Sequence, residues 1–397
     1  MLMSVPEVLS RVVALMWPVG RETLGIAEAG GRVLAEPVVA RRTQPPFPAS
    51  SMDGYAMRAT EAVPGARLRV VGEAAAGRAY EGAVGEGEAV RILTGAPVPE
   101  PLDRVVIQED VTREGDAIRL GEALDAGPYV RRAGLDFAAG APLLDAPRRL
   151  SPEDVALAAA AGVPFVTVRR RPKVALLATG DELALPGEAL GPSSITASNG
   201  FGLKALCEAA GAEAVLLPIA PDEAGALRAL ALEGAEADLL VTLGGASVGD
   251  HDLIRPALAD AGLELDLYRI AMRPGKPFMA GRLAGTPMLG LPGNPVSAMV
   301  CGRLFVVPAI ERLLGLEGAA PARERATLTV DLPPNGPREH YMRARLAMKD
   351  GRLLCTPAES QDSSRLALLS GADALAIREV GAPAAKAGEA IEVVRLR

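Results

Sequence analysis

Two glycine-rich turns carry carboxylate and hydroxyl side chains at positions where an anionic ligand can bind. "LLATGDEL" places Asp181 and Glu182 directly after the apolar run 173–178, and "TLGGASVGDHD" follows a second apolar run, 238–243. Glycine lets backbone N–H groups approach an anion closely, so both turns predict a binding pocket, with an ordinary helix cap as the alternative. The candidate residues of the second turn are Gly244, Gly245, Ser247, Gly249, Asp250 and Asp252.

A cluster of cations and a further turn extend this pattern. "YRIAMRPGKPF" supplies Arg269, Arg273 and Lys276 around a Pro-Gly turn, a composition suited to holding phosphate or another oxyanion. "GLPGNP" adds a backbone turn before a helix, with Pro292, Gly293, Asn294 and Pro295. Cations together with carboxylates indicate phosphate chemistry assisted by a hard divalent cation, and Mg²⁺ fits best. A solvated surface is the alternative for the cations.

Three loops earlier in the chain carry isolated functional groups. Asp53 lies in "SSMDGYAM" and Thr94 in "RILTGAPVPE", while "VRRAGLDF" supplies Arg131 and Asp136. Taken alone, the first two loops are typical of turns, and the third is typical of a surface ion pair.

The elements that must position these turns alternate between strand and helix. Apolar strands at 173–178, 213–219 and 238–243 are separated by helices near 199–210 and 222–233. Such alternation predicts a parallel sheet covered on both faces, with ligands bound beyond the carboxyl ends of its strands. A helix over 296–314 closes this domain.

The rest of the chain predicts smaller domains. Ser4 and Glu7 form a capping box for a first helix, and Ser151 caps a second one. Residues 63–128 and the tail from 320 have the alternation and turns of small β domains. At 397 residues the chain needs two to four domains.

Composition excludes several classes of protein. A net charge of −7 and 3% aromatic residues argue against a nucleic-acid partner. Neither a signal peptide nor a membrane span is predicted, and three unpaired cysteines indicate a reduced, cytoplasmic protein. Only His251 and His340 exist, so we expect carboxylates, cations and backbone amides to carry any catalysis.

Taken together, the motifs "MDGYA", "TGAPVP", "TGDEL", "GGASVGD", "PGKPF" and "GLPGNPVSA" resemble, in order, those of the MoeA family of molybdopterin molybdenumtransferases. The resemblance covers nearly the whole chain and implies a multi-domain α/β fold. A parallel-sheet molybdopterin-binding α/β domain would span 171–318 and an inserted small β domain 49–128. Residues 319–397 would form a C-terminal β domain, and 1–48 with 129–170 an elongated helical domain.

The resemblance also implies a reaction and its residues. Adenylylated molybdopterin and molybdate would react with the help of Mg²⁺, and AMP would leave. Catalytic roles carry over to Asp53, Thr94, Asp136, Glu182, Asp222 and Asp252. Substrate binding would involve Arg131 and the glycine-rich and cationic turns, and the metal would involve Asp181, Glu182, Asp222 and Asp250. The family further implies a homodimer with shared active sites, and molybdopterin adenylyltransferase as the upstream partner.

Some positions depart from the family pattern. Arg269 and Arg273 stand where lysine is common, Ala197 stands where an acidic or amide residue is common, and "SQDSSRL" fits the last motif loosely. Two other functions remain open: a non-catalytic scaffold built on the same module, and the adenylyltransferase itself. The first lacks support because Asp53, Glu182, Asp222 and Asp252 are retained, and the second because that enzyme lacks "MDGYA" and "TGAPVP". Molybdenum and tungsten are not distinguished.

Overall fold

The computed structural model describes residues 2–244 and 253–397, with the backbone alone at 266–269. The chain divides into two compact units. The large unit comprises Met1–Glu22 and Val168–Arg397, and the small unit comprises Thr23–Thr167. We describe each unit by itself.

The chain opens with helix α1, Val5–Ala14, in the large unit. The predicted capping box is confirmed, because the Ser4 hydroxyl accepts from the Glu7 N–H and the Glu7 carboxylate accepts from the Ser4 N–H. Val5, Val8 and Val12 are buried along one face of the helix. A local cap and an apolar stripe therefore suffice to define this element.

The small unit is built mainly from strands. A six-stranded sheet of order β8-β5-β7-β6-β10-β9 carries a separate apolar core on each face. A four-stranded sheet has the order β1-β14-β2-β13, and two strand pairs join β11 to β4 and β12 to β3. The strands are β1 Arg21–Gly25, β2 Val33–Leu34, β3 Val38–Val39, β4 Ala49–Ser50, β5 Gly54–Met57, β6 Arg67–Ala74, β7 Glu88–Ile92, β8 Arg104–Ile107, β9 Val111–Glu114, β10 Ala117–Leu120, β11 Val130–Arg131, β12 Pro142–Leu144, β13 Arg148–Arg149 and β14 Phe165–Arg169.

Helix α2, Pro152–Ala160, is capped by Ser151 as predicted, and the Asp154 carboxylate completes a capping box. The segments 1–48 and 129–170 thus contain α1 and α2, and otherwise short strands, turns and one 3₁₀ turn at Ile26–Glu28. Frequent Pro and Gly keep the intervening elements short. Two further 3₁₀ turns occupy Ala59–Glu61 and Gln108–Asp110.

The large unit contains a six-stranded sheet of order β18-β15-β19-β23-β22-β20. Its first four strands are parallel, as the alternation of strand and helix predicts. The strands in this part of the chain are β15 Lys173–Ala178, β16 Leu183–Ala184, β17 Ile195–Thr196, β18 Glu213–Leu216, β19 Leu239–Leu243, β20 Leu263–Arg269, β21 Met272–Arg273, β22 Pro277–Leu283 and β23 Thr286–Leu291. The helices are α3 Asn199–Ala210, α4 Ala224–Gly234, α5 Ile254–Leu258, α6 Pro295–Cys301 and α7 Val307–Leu313, with a 3₁₀ turn at Ala259–Ala261.

The sheet differs from a purely parallel one at its far edge. Strand β22 runs antiparallel to both of its neighbours, β20 and β23, and it returns into β23 through the two-residue turn Ala284-Gly285. Both turn residues have positive φ, 48° and 87°, which is the geometry of a type I′ hairpin. An Ala-Gly pair is a weaker sequence signal for this turn than Asn-Gly, so the hairpin was not predicted.

The C-terminal residues form a closed sheet. Strand order β21-β25-β26-β24-β28-β27, with β25 also pairing to β27, gives a small barrel-like domain around one apolar core. Its elements are β24 Glu324–Leu328, β25 Glu339–Lys349, β26 Arg352–Pro357, α8 Leu366–Ser370, β27 Ala374–Arg378 and β28 Ala390–Arg395.

The three cysteines, Cys207, Cys301 and Cys355, are free and buried. Burial raises the pKa of the Cys301 thiol to about 12, so it stays protonated. No helix among the described residues has both the length and the apolar character needed to cross a membrane.

Candidate active site

The order of the parallel strands creates a crevice at the sheet edge. The chain passes from β15 through α3 to β18 on one side, and through α4 to β19 on the other. The carboxyl ends of β15 and β19 therefore lie next to each other at the point where the direction of winding reverses, which is where open α/β sheets bind ligands. The Thr179 N–H donates to the Leu243 carbonyl at 3.1 Å and holds the two ends together.

Gly244 closes the floor of this crevice. Its φ of +95° lies in the left-handed region, and a Cβ at this position would come within 3.2 Å of the Thr179 hydroxyl and 3.1 Å of the Thr179 carbonyl. Only glycine fits there without strain, and its N–H donates to the Leu291 carbonyl at 3.1 Å. This role differs from the contact between backbone N–H groups and an anion that the sequence predicts for the glycines of this turn.

A cavity of about 740 Å³ lies above this edge, within the large unit. Several residues that the sequence singles out line it together, although they come from four separate segments. They are Glu182, Asp222, Gly244, Pro292, Gly293, Asn294 and Pro295. Ala197, one of the departures from the family pattern, also lines it, beside Ser198 and Asn199.

The carboxylates at this cavity are exposed and locally ordered. The Asp181 Oδ1 accepts a hydrogen bond of 3.0 Å from the Asp222 N–H, which ties the turn after β15 to the start of the α4 region. Glu182 and Asp222 face the cavity itself. Within residues 2–244 and 253–397, no group of three or more acidic, histidine or cysteine side chains is close enough to hold a metal ion.

Part of the predicted glycine-rich turn lies outside the described residues. This applies to Gly245, Ser247, Gly249, Asp250, His251 and Asp252. Their roles therefore stay predictions.

The opposite wall of the cavity is fixed by an amide. Asn199, at the start of α3, donates from its side chain to the Gly293 carbonyl at 2.7 Å. Pro295 occupies the first turn of α6, where a missing N–H costs nothing. This hydrogen bond joins the "SNG" and "GLPGNP" segments, which are 94 residues apart.

The predicted cationic cluster does not lie at this cavity. Arg273 lines a second cavity, of about 1160 Å³, formed largely by the C-terminal domain. Lys276 is exposed and is not among the residues that line either cavity. The Arg269 backbone pairs with Pro277, and its side chain is outside the described residues.

The second cavity contains buried cationic side chains that the sequence analysis missed. Arg343 is 0% exposed, and its Nε and Nη1 have no hydrogen-bond partner within the described part of the chain. Its Nη2 donates to the carbonyls of Ser360, at 3.2 Å, and Asp362, at 2.9 Å. Arg378 lines the same cavity with a buried, unpartnered Nε. Because buried guanidinium nitrogens without partners are costly, an anion in this cavity could stabilise both arginines.

His340 lies beside these arginines and is 8% exposed. Burial, followed by the charges of Arg273 and Arg343, lowers its pKa to about 4. The imidazole is therefore neutral near pH 7, and its buried Nε2 has no partner within the described residues. A neutral imidazole beside an oxyanion can donate a hydrogen bond or accept a proton.

The segment "SQDSS" connects the two cavities. Gln361 is bound to the Arg343 backbone from both sides, with its Oε1 accepting from the Arg343 N–H and its Nε2 donating to the Arg343 carbonyl. Two residues later, the Ser363 carbonyl accepts from the Val296 N–H, in the first turn of α6. The loosely fitting last motif thus holds both the buried arginine and the start of the helix at the first cavity.

In the small unit, Asp53 and Thr94 lie together. The Asp53 carboxylate accepts hydrogen bonds from the Thr94 N–H and hydroxyl, and these, the N–H first, lower the pKa of Asp53. Arg131 is exposed and its backbone pairs with Ala49, while the Asp136 N–H donates to the Gln44 carbonyl. No carboxylate contact is recorded for Arg131 in the part of the chain that the structure describes.

Three family models match this chain over most of its length. Family models match residues 3–162 as the MoeA N-terminal region (domains I and II), 175–312 as a probable molybdopterin binding domain, and 325–396 as the MoeA C-terminal region (domain IV). The residues of both cavities fall within the second and third of these matches.

Relatives and solved structures agree with the family models. A molybdopterin molybdenumtransferase from Nostoc sp. is 35% identical over 94% of this chain and 88% of its own length, and one from Haemophilus influenzae is 37% identical over 76% and 75%. A crystal structure of the molybdopterin biosynthesis MoeA protein from Pyrococcus horikoshii covers both chains fully, with 26% identity and a TM-score of 0.85. The chain therefore belongs to the MoeA family of molybdopterin molybdenumtransferases, which act in molybdenum cofactor biosynthesis.

Proposed function

We propose that this chain inserts molybdate into adenylylated molybdopterin, with Mg²⁺ as helper ion and release of AMP. The observation that carries this proposal is a pair of cavities in the large unit, whose walls are linked by the Gln361–Ser363 segment. One is lined by carboxylates and backbone groups at a topological switch point, and the other by buried arginines with nitrogens that have no hydrogen-bond partner among the described residues. A large anionic pterin and a small oxyanion need two such environments.

The pterin nucleotide would occupy the cavity at the sheet edge. Gly244 and Gly293 line the cavity without side chains, so the phosphates could approach the backbone of both turns closely. The Gly244 N–H already donates to the Leu291 carbonyl, which leaves the Gly293 N–H as the candidate donor. The Asn199 amide would hold the Gly293 turn in position, and Pro292 and Pro295 would keep it rigid. Binding in this cavity would place the pyrophosphate linkage near Glu182 and Asp222.

The carboxylate donors fit a hard cation. Glu182 and Asp222 face the cavity with exposed oxygens, and Asp181 lies behind them through its hydrogen bond to the Asp222 N–H. When bound there, Mg²⁺ would neutralise charge on the phosphates of the linkage. Glu182 would orient the water that cleaves the linkage between pterin phosphate and AMP, taking up its proton at a carboxylate oxygen.

Molybdate would be drawn to the second cavity. Arg273 and Arg343 provide positive charge there, and two guanidinium nitrogens of Arg343 have no other partner among the described residues. Charge-assisted hydrogen bonds of this kind are strong because the donors are already desolvated. His340 is held neutral by its surroundings, so it would donate a hydrogen bond to the oxyanion while carrying no charge itself.

The small unit would serve the same reaction from a neighbouring subunit. We propose a cytoplasmic homodimer in which Asp53, Thr94, Arg131 and Asp136 contribute to the partner's active site, and an adenylyltransferase upstream that supplies the adenylylated pterin. Two observations support this proposal. The chain belongs to the family, and hydrogen bonds from Thr94 hold the Asp53 carboxylate in a fixed position.

One assay tests the reaction. Purified protein is incubated with adenylylated molybdopterin, Mg²⁺ and either molybdate or tungstate, and AMP release is followed together with metal incorporation. We expect AMP and metal-loaded cofactor to form in a 1:1 ratio with at least one oxyanion. If neither oxyanion gives product, the chain is a non-catalytic scaffold built on the same module.

A further inference from the structure

A third cavity of the large unit, of about 370 Å³, lies at the start of α3. It is lined by the first turn of α3 and by residues of α6 and α8. Met299, Val300 and Leu369 make part of its wall apolar, and the polar groups that reach it include Ser198 and Ser370. The combination of apolar walls and a few converging polar groups is typical of a ligand site.

Two cations line this cavity, Arg303 and Arg397, and the Arg397 guanidinium donates to the Ser370 carbonyl. Arg303 is half-buried, and its one side-chain hydrogen bond within the described residues runs from Nη2 to the Leu396 carbonyl, at 3.1 Å. No carboxylate of those residues forms an ion pair with Arg303. Burial lowers the pKa of Arg303, so its positive charge is partly desolvated and has no ion-pair partner in this part of the chain.

The backbone around Arg303 departs from the regular α-helical pattern. It lies in a π-helical turn, Gly302–Val306, in which the Val307 N–H donates to the Gly302 carbonyl five residues earlier. Pro308 follows and has no N–H, so the α-helical hydrogen bond to Leu304 cannot form and the helix widens by one residue. Such π turns are frequent at functional sites, because they redirect one side chain.

We propose that this cavity is a binding site for a phosphate group, with Arg303 as its main ligand and Ser198 and Ser370 as hydroxyl donors. It is separate from the cavities used in the proposed reaction, although Ser198 and Asn199 line both it and the cavity at the sheet edge. A phosphate-bearing ligand here would therefore contact the start of α3. The site exists whether or not the chain catalyses molybdenum insertion, because its argument uses only Arg303 and the walls around it.

Calorimetric titration of the wild-type protein with inorganic phosphate, and separately with AMP, tests this proposal without any turnover. Arg303→Gln removes the charge, and Arg352→Gln, at an exposed position of β26, is the matched control. We expect Arg303→Gln to weaken one binding event by roughly tenfold or more, and the control to leave it unchanged. An effect with both ligands identifies free phosphate as sufficient, whereas an effect with AMP alone identifies a nucleotide phosphate.

A second variant guards against misfolding. Ser370 is exposed, so Ser370→Glu should fold and place a carboxylate opposite Arg303, and we expect it to abolish the same binding event. Equal affinity of wild type, Arg303→Gln and Ser370→Glu for both ligands overturns the proposal. So does the absence of any phosphate or AMP binding sensitive to these two variants at millimolar concentration.

Discussion

Asp53 and Thr94, 41 residues apart in the small unit, are joined by one carboxylate oxygen that accepts two hydrogen bonds of 2.7 Å, from the Thr94 N–H and from its hydroxyl. The motifs "MDGYA" and "TGAPVP" therefore form a single structural feature. Replacing either residue disturbs both loops, and an effect of Thr94 on activity can act through the position and charge of Asp53.

The hydrogen bonds from Thr94 predict a change in the pKa of Asp53 when the threonine is replaced. In Thr94→Val the hydroxyl donor is lost while the N–H donor stays, so we expect the pKa of Asp53 to move part of the way back toward its usual value. Thr94→Ser keeps the hydroxyl and serves as the control. Carboxyl-carbon NMR titration reports the value directly, and identical Asp53 titration curves in all three proteins would contradict the assignment.

Glu182→Gln tests the carboxylate at the sheet-edge cavity. Because Glu182 is exposed, we expect unfolding free energy to change by less than about 0.5 kcal/mol. Product formation should fall by about 100-fold or more, since the variant can no longer take up a proton from water. Glu233→Gln, on the exposed side of α4, is the control. Retention of full activity by Glu182→Gln would remove this residue from the mechanism.

Arg343→Met tests the oxyanion site independently of turnover. An anion that binds only the folded protein raises its stability, by about 2.7 kcal/mol at a concentration 100 times the Kd. We expect molybdate to raise the unfolding temperature of wild type and of Arg352→Met, and to have no effect on Arg343→Met. The proposed site is wrong if molybdate stabilises all three proteins equally.

His340 predicts a pH dependence of stability. Its folded-state pKa of about 4 lies below the value of an unfolded histidine, so the unfolded chain binds more protons between these two values. The contribution is complete above the unfolded pKa and is lost as pH falls toward 4, by at most about 3 kcal/mol before solvent screening. Urea unfolding at pH 7.5 and 4.5 should show a smaller loss in His340→Gln than in wild type. Equal losses would show that His340 is not the group responsible.

Subunit mixing tests the shared active site. Asp53→Asn and Glu182→Gln subunits are each expected to be inactive, and a mixed dimer with shared sites has one doubly altered pocket and one intact pocket. About half of the wild-type activity per mixed dimer should return. Mixtures that exchange subunits and stay inactive would show that each chain supplies its own complete site.

The local parts of the fold follow from the sequence. The capping boxes at Ser4 and Ser151 are read directly, and helix α3 begins and ends where its apolar periodicity predicts. The strands of the parallel sheet are short apolar runs between these helices, so their order along the chain was predictable. The pairing at the far edge of the sheet was not predictable, because the reversal of β22 relative to β23 depends on the turn at Ala284-Gly285.

Site residues that lie in a recognisable sequence motif were predictable. Those that reach a cavity only through the packing of distant segments were not. Glu182 and Gly293 come from turns whose composition indicates binding, Asp222 was identified by the family resemblance, and all three line one cavity. Arg343 comes from "YMRARL", which is typical of an ordinary strand, and its burial depends on a segment 17 to 19 residues later. The one sequence signal for its burial was the position of Arg343 on the same strand face as apolar residues.

The hydrogen bond from the Val296 N–H to the Ser363 carbonyl bears on how this protein can be divided for engineering. A shortened gene that stops after α7 would keep every motif of the sheet-edge cavity, yet it would leave the first turn of α6 with an unsatisfied donor and remove the wall that carries Arg343. The C-terminal barrel therefore cannot be removed or replaced without affecting the sheet-edge cavity. Transplanting it from a relative requires that the "SQDSS" segment and the "GLPGNPVS" turn be exchanged together.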